Sequence, residues 1–403
     1  MNAVGIDVSK GKSTVAIVRP FGEIVAKPFD VFHTSTGTQD LLSRLSALQG
    51  DTRIIMEHTG RYHEPMAEKL SSAGFFVCAV NPKLIRDYGN NTLRKVKTDK
   101  ADSLKIARYG LDNWQDLRQH TGMDKKREQL KLMNRQFAFY MKQKTAAKNN
   151  LIALIDQTYP GVNTLFKSPA RPDGSQKWVD FVASFWHVDC VRKVGIKTFT
   201  ERYRKWCVRN SYYFQPGKPE KILAASKELL PTLPKDAMTK LLVQQAVKQL
   251  GTVSVLVEQL RTEMNRFASE IPEYPIVLAM RGVGPSLGPQ IMAEIGDVTR
   301  FVHRGSLTAF AGVDPGVSQS GTYEAKSRHA SKRGSAQLRK ALFQVMSVLL
   351  KTAPKDAPVF QFLDKKRREG KPYYVYMTAG MNKFLRIYYG RVKEYLASQA
   401  KPE

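Results

Sequence analysis

The chain has 403 residues, 42% of them hydrophobic, and carries 64 Lys and Arg against 36 Asp and Glu, a formal net charge of +28. That length allows two or three domains, each with its own core, and the charge selects polyanions as partners: DNA, RNA or, least of all, an anionic membrane surface. No run approaches the roughly 18 apolar residues of a spanning helix, and the start, MNAVGIDVSK, lacks the apolar core of a signal peptide, so a cytoplasmic protein with no membrane partner is expected. Cys78, Cys190 and Cys207 form neither a CxxC pair nor an even set, which argues against disulfides and structural zinc and leaves core thiols.

In chain order, AVGIDVSK, STVAIVRP and IVAKPFDVF read as strands of a meander, the last two joined through Phe21-Gly22-Glu23. Asp7 stands on the first strand between Ile6 and Val8, where a solvated carboxylate is unexpected. A helix over 39–48 leads to the strand Arg53-Ile54-Ile55-Met56, which delivers Glu57 at its end. A second helix opens at His58 and runs to about Ala73, and Phe75 to Val80 is a further apolar strand, broken by Asn81-Pro82. This alternation predicts an α/β unit around a mixed sheet. From Thr98, TDKADSLKIARYG has helical character and sets Asp99 and Asp102 three apart on one face, a like-charge pairing that is disfavoured without a compensating cation.

Two heptad patterns follow. Leu130, Met133, Phe137, Tyr140, Lys144, Ala147, Leu151 and Leu154 step by threes and fours with one Lys in the seam; Val243, Ala246, Leu250, Val253, Val257, Leu260, Met264 and Phe267 do so without a polar interruption. They predict two long helices forming an antiparallel coiled-coil arm or a dimer contact, with two ordinary core helices as the alternative. Between them, about 160–220, a stretch with Trp178, Trp186 and Trp206 reads as a small inserted helical unit of unreadable function. From Pro272, RGVGP before an apolar helix has the form of a helix-hairpin-helix. Gly282 and Gly284 would then expose backbone N–H groups to a phosphate, or else make only a tight turn.

Asp7, Glu57, Asp99 and Asp102 each have a bland reading as a cap or helix-end acid. Together they repeat the order of an RNase H-like metal site: one acid on the first strand, one at a later strand end, two on a helix. Carboxylates that hold Mg²⁺ on a basic chain predict metal-dependent chemistry on nucleic acid, because the ions neutralise charge on an attacked phosphate. Further on, GVDPGVSQSG precedes Lys326, Arg328, Lys332, Arg333, Arg339 and Lys340 with no acid from 326 to 340. Taken alone, Ser320 is a loop serine before a turn glycine, and the basic run is either a solvated face or a phosphate-contact surface. Lys365 to Arg368, followed by Tyr373, Tyr374 and Tyr376, mixes charge and rings as backbone contact and base stacking require.

GIDVSK, MEHTGRYHEP and VKTDKADSLKIARYG resemble the RuvC-like DEDD domain of a large bacterial insertion-sequence transposase family, the bridge-RNA-guided recombinases. RGVGPSLGPQIMAEIGDVTRF, AFAGVDPGVSQSG and SKRGSAQLRKALF resemble that family's C-terminal serine domain. The resemblance covers about 4–110 and 275–345. It implies a RuvC-like (RNase H-like) α/β domain over 1–112, a helical coiled-coil arm over 125–270, and a mainly α C-terminal serine domain over 272–403.

By the same resemblance Asp7, Glu57, Asp99 and Asp102 are the Mg²⁺-binding DEDD residues and Ser320 the nucleophile, with Ser318 as fallback because Thr322 stands where the family often has a second glycine. Lys97, Lys100, Gly282, Gly284, Lys326, Arg328, Lys332 and Arg333 are the expected nucleic-acid contacts. Implied partners are double-stranded DNA, a structured guide RNA and further copies of the chain, as a dimer or tetramer, at the bacterial nucleoid. The alternatives are a RuvC-like metal nuclease of branched DNA without a covalent intermediate, and a nucleic-acid-binding scaffold without chemistry.

Overall fold

Strand β1 (Asn2–Val8) turns back through Gly11, at φ +83°, into β2 (Lys12–Val18), and β3 (Ile24–Phe32) completes the meander. After α1 (Ser35–Ser46) come β4 (Thr52–Glu57), α2 (Glu64–Ser72), β5 (Phe76–Val80), α3 (Pro82–Tyr88) and α4 (Asp99–Asp112). The structure, a computed structural model, describes residues 1–58, 62–88, 98–120, 124–316, 319–320, 323–324 and 329–399, and the chain divides into two units, Met1–Gly122 and Met123–Glu403.

The sheet of the first unit has the order β3-β2-β1-β4-β5, antiparallel through the meander and parallel from β1 to β4 and from β4 to β5. This is the mixed α/β sheet expected, and it is consistent with an RNase H-like domain. Period-two alternation gives the central strands β1 and β4 apolar residues on both faces. Val4, Ile6, Ile54 and Met56 pack with Leu41, Leu45, Met66 and Leu70 of α1 and α2; Ala3 and Ile55 pack on the other face with Ile85, Ile106 and Ala107 of α3 and α4.

Two helix starts differ from the sequence reading. α1 begins at Ser35, four residues early, because the Thr34 hydroxyl accepts from the Gly37 N–H at 3.1 Å and caps it. α2 begins at Glu64 rather than His58: Pro65 has no N–H to donate and is accommodated in a first turn.

The second unit is mainly helical. α5 (Lys125–Thr158) is followed by α6 (Lys177–Ser184), α7 (Asp189–Arg192), α8 (Ile196–Arg209) and α9 (Lys218–Ser226), and α10 (Ala237–Ala268) then returns along α5. The two long helices are antiparallel: Lys126 meets Glu270 at 3.2 Å, Lys144 meets Glu258 at 3.5 Å, and the Gln157 carbonyl accepts from the Thr232 and Leu233 N–H groups. Lys144, the charged residue of the first heptad seam, thus has its partner on the facing helix.

The near half of the pair, with Leu130, Phe137, Val257 and Met264, shares a core with α11 (Tyr274–Leu278), α12 (Leu287–Ile295), α13 (Arg304–Ala311), α14 (Ala336–Thr352), α15 (Pro358–Arg368) and α16 (Tyr373–Gln399). Its far half, with Leu151, Ile155, Val243 and Leu250, shares one with the aromatic insert, where Phe181, Tyr203 and Trp206 are buried. Residues expected as an arm and as a C-terminal domain therefore lie in one unit. Arg127 fixes the near end by a bidentate pair to Glu273, 1% exposed, at 2.8 and 2.6 Å. Among the described residues no helix is long and apolar enough to cross a membrane.

Candidate active site

Asp7 follows Ala3 and Gly5 on the α4 face of β1, and Glu57 follows Arg53 and Ile55 on the same face of β4. The parallel register pairs Gly5 with Ile55 and Ile6 with Met56, so the two acids end adjacent strands side by side. α4 supplies the other pair. Its cap, the Thr98 hydroxyl, accepts from the Ala101 N–H at 3.2 Å, and Asp99 and Asp102 occupy the first turn, where the helix dipole favours negative charge.

Small residues let that helix lie directly on the sheet. A Cβ on Gly5 would sit 2.1 Å from the Ser103 carbonyl oxygen and 2.4 Å from the Ala107 nitrogen; one on Gly110 would sit 2.4 Å from the end of the Ile55 side chain. The glycine of GIDVSK is the place where α4 crosses β1.

The four acids act on one another. Burial, then the charges of Asp102, Asp99 and Glu57, push the Asp7 carboxyl up to about 6. Burial and Asp102 likewise raise Glu57, against an opposing pull from Lys105. At the edge, the Lys12 ammonium lies 2.9 Å from Asp30 and 4.0 Å from Asp99, and the Thr14 hydroxyl donates to Asp30 at 2.8 Å. Sequence reasoning missed Lys12 and Asp30, whose meeting depends on the β2–β3 register. Hard oxygen donors gathered with so little compensating charge suit a divalent cation such as Mg²⁺. Among the described residues no three His, Cys, Asp or Glu side chains stand close enough together to hold an ion.

The serine region lies in the other unit. α13 ends at Gly312, φ +66°, and from there 313–316 and 329–335 run as a two-stranded stem. Pro315 bridges Ala330, the Ser331 N–H donates to the Asp314 carbonyl at 2.9 Å, and the Ser331 hydroxyl donates to the Asp314 carboxylate at 2.6 Å. At its base a Cβ on Gly334 would fall 1.9 Å from the Phe310 carbonyl oxygen.

Beyond the stem, β6 (Gln319–Ser320) pairs antiparallel with β7 (Tyr323–Glu324), setting Ser320 opposite Tyr323. The Ser320 side chain, Ser318, Lys326, Arg328 and Lys97 lie outside the described residues. Lys100, Lys332 and Arg333 are exposed, and Lys332 holds a positive φ of 52°. Arg339 of the same basic run is instead part of the scaffold, donating to the Ala311 and Gly334 carbonyls at 3.0 Å each. Gly282 turns at φ +83° against Leu349 of α14, whereas Gly284 faces open space.

A family model described as a transposase, of the DEDD type that carries the IS110 name, matches residues 4–160, and a second, the transposase IS116/IS110/IS902 family, matches 274–360. The chain belongs to the IS110 family of transposases. It is 24% identical over 343 residues to the pilin gene-inverting protein of Moraxella bovis, covering 85% of this chain and 80% of that one, and equally so to the protein of the same name from Moraxella lacunata. It is thus a DNA transposase or recombinase. The first model spans the four acids of the transposase and the second spans Ser320.

One polar node of the transposase had no sequence reading. Glu294, 1% exposed on α12, accepts from Asn134 at 2.8 Å and Arg135 at 2.9 Å, both on α5, and from the Ser335 hydroxyl at 2.8 Å. Ser335 also caps α14 through the Leu338 N–H at the foot of the serine stem. Replacing Ser335 by Ala removes a cap and a donor to a buried carboxylate together. It is expected to cost about 2 kcal/mol, read from the denaturant midpoint; a change under about 0.5 kcal/mol would count against the node as a fixed point.

Proposed function

We propose that this transposase excises and integrates a mobile DNA element by transesterification through Ser320. The Ser320 Oγ attacks a scissile phosphorus as the phosphorus–oxygen bond to one deoxyribose breaks, and that oxygen leaves as a hydroxyl with a proton. A DNA hydroxyl then attacks the phosphoserine ester and the serine leaves with a proton, so the phosphodiester count is conserved and no ATP is needed. The observation that carries the reading is the gathering of four acids within one another's fields on a transposase of net charge +28.

Asp7, Glu57, Asp99 and Asp102 are the residues that would hold Mg²⁺, which when bound supplies charge neutralisation and polarisation at the phosphate. Lys100, Lys332 and Arg333, exposed and basic, hold the DNA backbone, and the open side of Gly284 offers a further backbone N–H face. A structured guide RNA supplies sequence choice. Strand exchange needs at least two active sites, so the chain works as a dimer or tetramer assembled through the coiled-coil arm. The relatives' name supports recombination over hydrolysis, since inverting a segment requires every cut end to be rejoined.

Incubating the protein with candidate RNA, labelled donor and target DNA and Mg²⁺, then separating it under denaturing conditions, is expected to give a DNA-linked protein band. That band should be lost in Ser320→Ala and kept in Ser318→Ala. Cleaved DNA with no linked band in any of the three would replace this reading with a RuvC-like metal nuclease of branched DNA.

A further inference from the structure

Two helices of the second unit pair their cations internally: on α10 Arg261 meets Glu258 at 2.5 Å and Arg266 meets Glu263 at 2.9 Å, and on α15 Arg367 meets Asp364 at 2.8 Å. The insert differs. On α8 one face is buried through Phe199, Tyr203 and Trp206, and the other exposes Arg202, Lys205 and Arg209, none of which makes an ion pair among the described residues.

Beside α8, three cations converge on two rings. The Arg171 guanidinium lies 3.9 Å from the centre of Tyr212, Lys177 lies 4.9 Å from Tyr212 and 5.4 Å from Phe166, and Lys218 lies 5.2 Å from the same Phe166 ring. Arg171 is aimed by the Asn210 and Ser211 carbonyls at 2.6 and 3.0 Å, and Lys218 by the Leu165 carbonyl at 2.6 Å. Of the nearby acids, Asp180 accepts from the Tyr212 hydroxyl at 2.5 Å, and Asp173, also attracted by Arg171, accepts from the Ser175 N–H at 2.9 Å. The crowding is unfavourable for the cations themselves, since burial and the charges of Lys177 and Lys221 lower the Lys218 ammonium below its ordinary value. A phosphate placed there removes that repulsion.

Next to this cluster, Tyr212 stacks on Trp206 at 5.2 Å and Phe214 lies under Arg204 at 4.8 Å, while Tyr213 between them is 81% exposed. An exposed ring beside unpaired cations suits an unstacked base with its flanking phosphates; a duplex offers phosphates but no free base face.

We infer that the insert is a binding site for single-stranded nucleic acid, with Arg171, Lys177 and Lys218 holding phosphates and Tyr213 stacking a base. The inference is independent of the serine chemistry, because the test reads binding without cleavage. Full-length protein is titrated with labelled single-stranded DNA, single-stranded RNA of the same sequence, and duplex DNA over a range of salt.

The Lys177→Gln/Lys218→Gln variant is expected to bind both single strands more weakly, with the slope of log affinity against log salt flattened by about 1.4. Tyr213→Ala, at a site too exposed to disturb folding, is expected to weaken single-strand binding about five-fold or more at unchanged slope and to leave the duplex untouched. Loss for one single strand alone assigns the site to that polymer. Wild-type binding of all three ligands by Tyr213→Ala, or an equal loss for duplex, would overturn the inference.

Discussion

Replacing Asp7 by Asn is expected to lower DNA cleavage and joining by about 10³-fold while making the metal-free protein more stable. The first effect is the loss of one of four acids proposed to hold Mg²⁺, whose phosphate stabilisation amounts to several kcal/mol. The second follows from the Asp7 carboxyl standing at about 6 instead of 3.8. A raised acid contributes stability that is complete below its unfolded value and is lost as pH rises through the folded one, here between about 4 and 6.

At pH 7.5 without metal, ionised Asp7 therefore costs about 1–2 kcal/mol, allowing for solvent screening of a half-buried group. Glu57 is shifted in the same direction, so the comparison is between wild type and Asp7→Asn across pH. Thermal unfolding in a chelator at pH 5 and pH 7.5 should show the variant gaining on wild type at the higher pH, and added Mg²⁺ should stabilise wild type more. A variant less stable than wild type at pH 7.5 in chelator would remove the electrostatic account of the site.

Gly5→Ala is expected to cost about 3 kcal/mol or more and to abolish activity, although Gly5 is not itself one of the acids. The added methyl group meets the backbone of Ser103 and Ala107, which cannot rotate away, so α4 must lift from β1 and carry Asp99 and Asp102 with it. Gly110→Ala is the matched control. There the methyl meets the side chain of Ile55, Cδ1 at 2.4 Å and Cγ1 at 2.7 Å, and no backbone, and the helix gains about 1 kcal/mol of propensity. The pair is read by denaturant unfolding and strand-transfer assay; equal losses would mean that close approach of α4 to β1 does not set the site.

The acids were legible because their placement follows local rules. Asp7 interrupts an apolar strand, Glu57 ends one, and Thr98 before Asp99 is a cap signal, so each element could be read from a few neighbours. The reason Gly5 is a glycine was not legible, since it depends on a helix about a hundred residues away. Lys12 with Asp30 and Glu294 with Asn134, Arg135 and Ser335 were hidden for the same reason: each side chain is ordinary alone, and only strand register or helix packing makes it a partner. The start of α2 could have been read from Pro65.

The 34 residues of α5 rise about 51 Å, and the insert is mounted at the far end of that span from the helices that carry the serine stem. From Leu130 in the bundle's core to Ile155 in the insert's core the helix rises about 38 Å, about 11 base-pair steps of B-form DNA. For a strand gripped at the insert in the way proposed, the helix pair would be a ruler to the serine-bearing bundle, and lengthening the pair by whole heptads would move that grip in steps of about 10.5 Å.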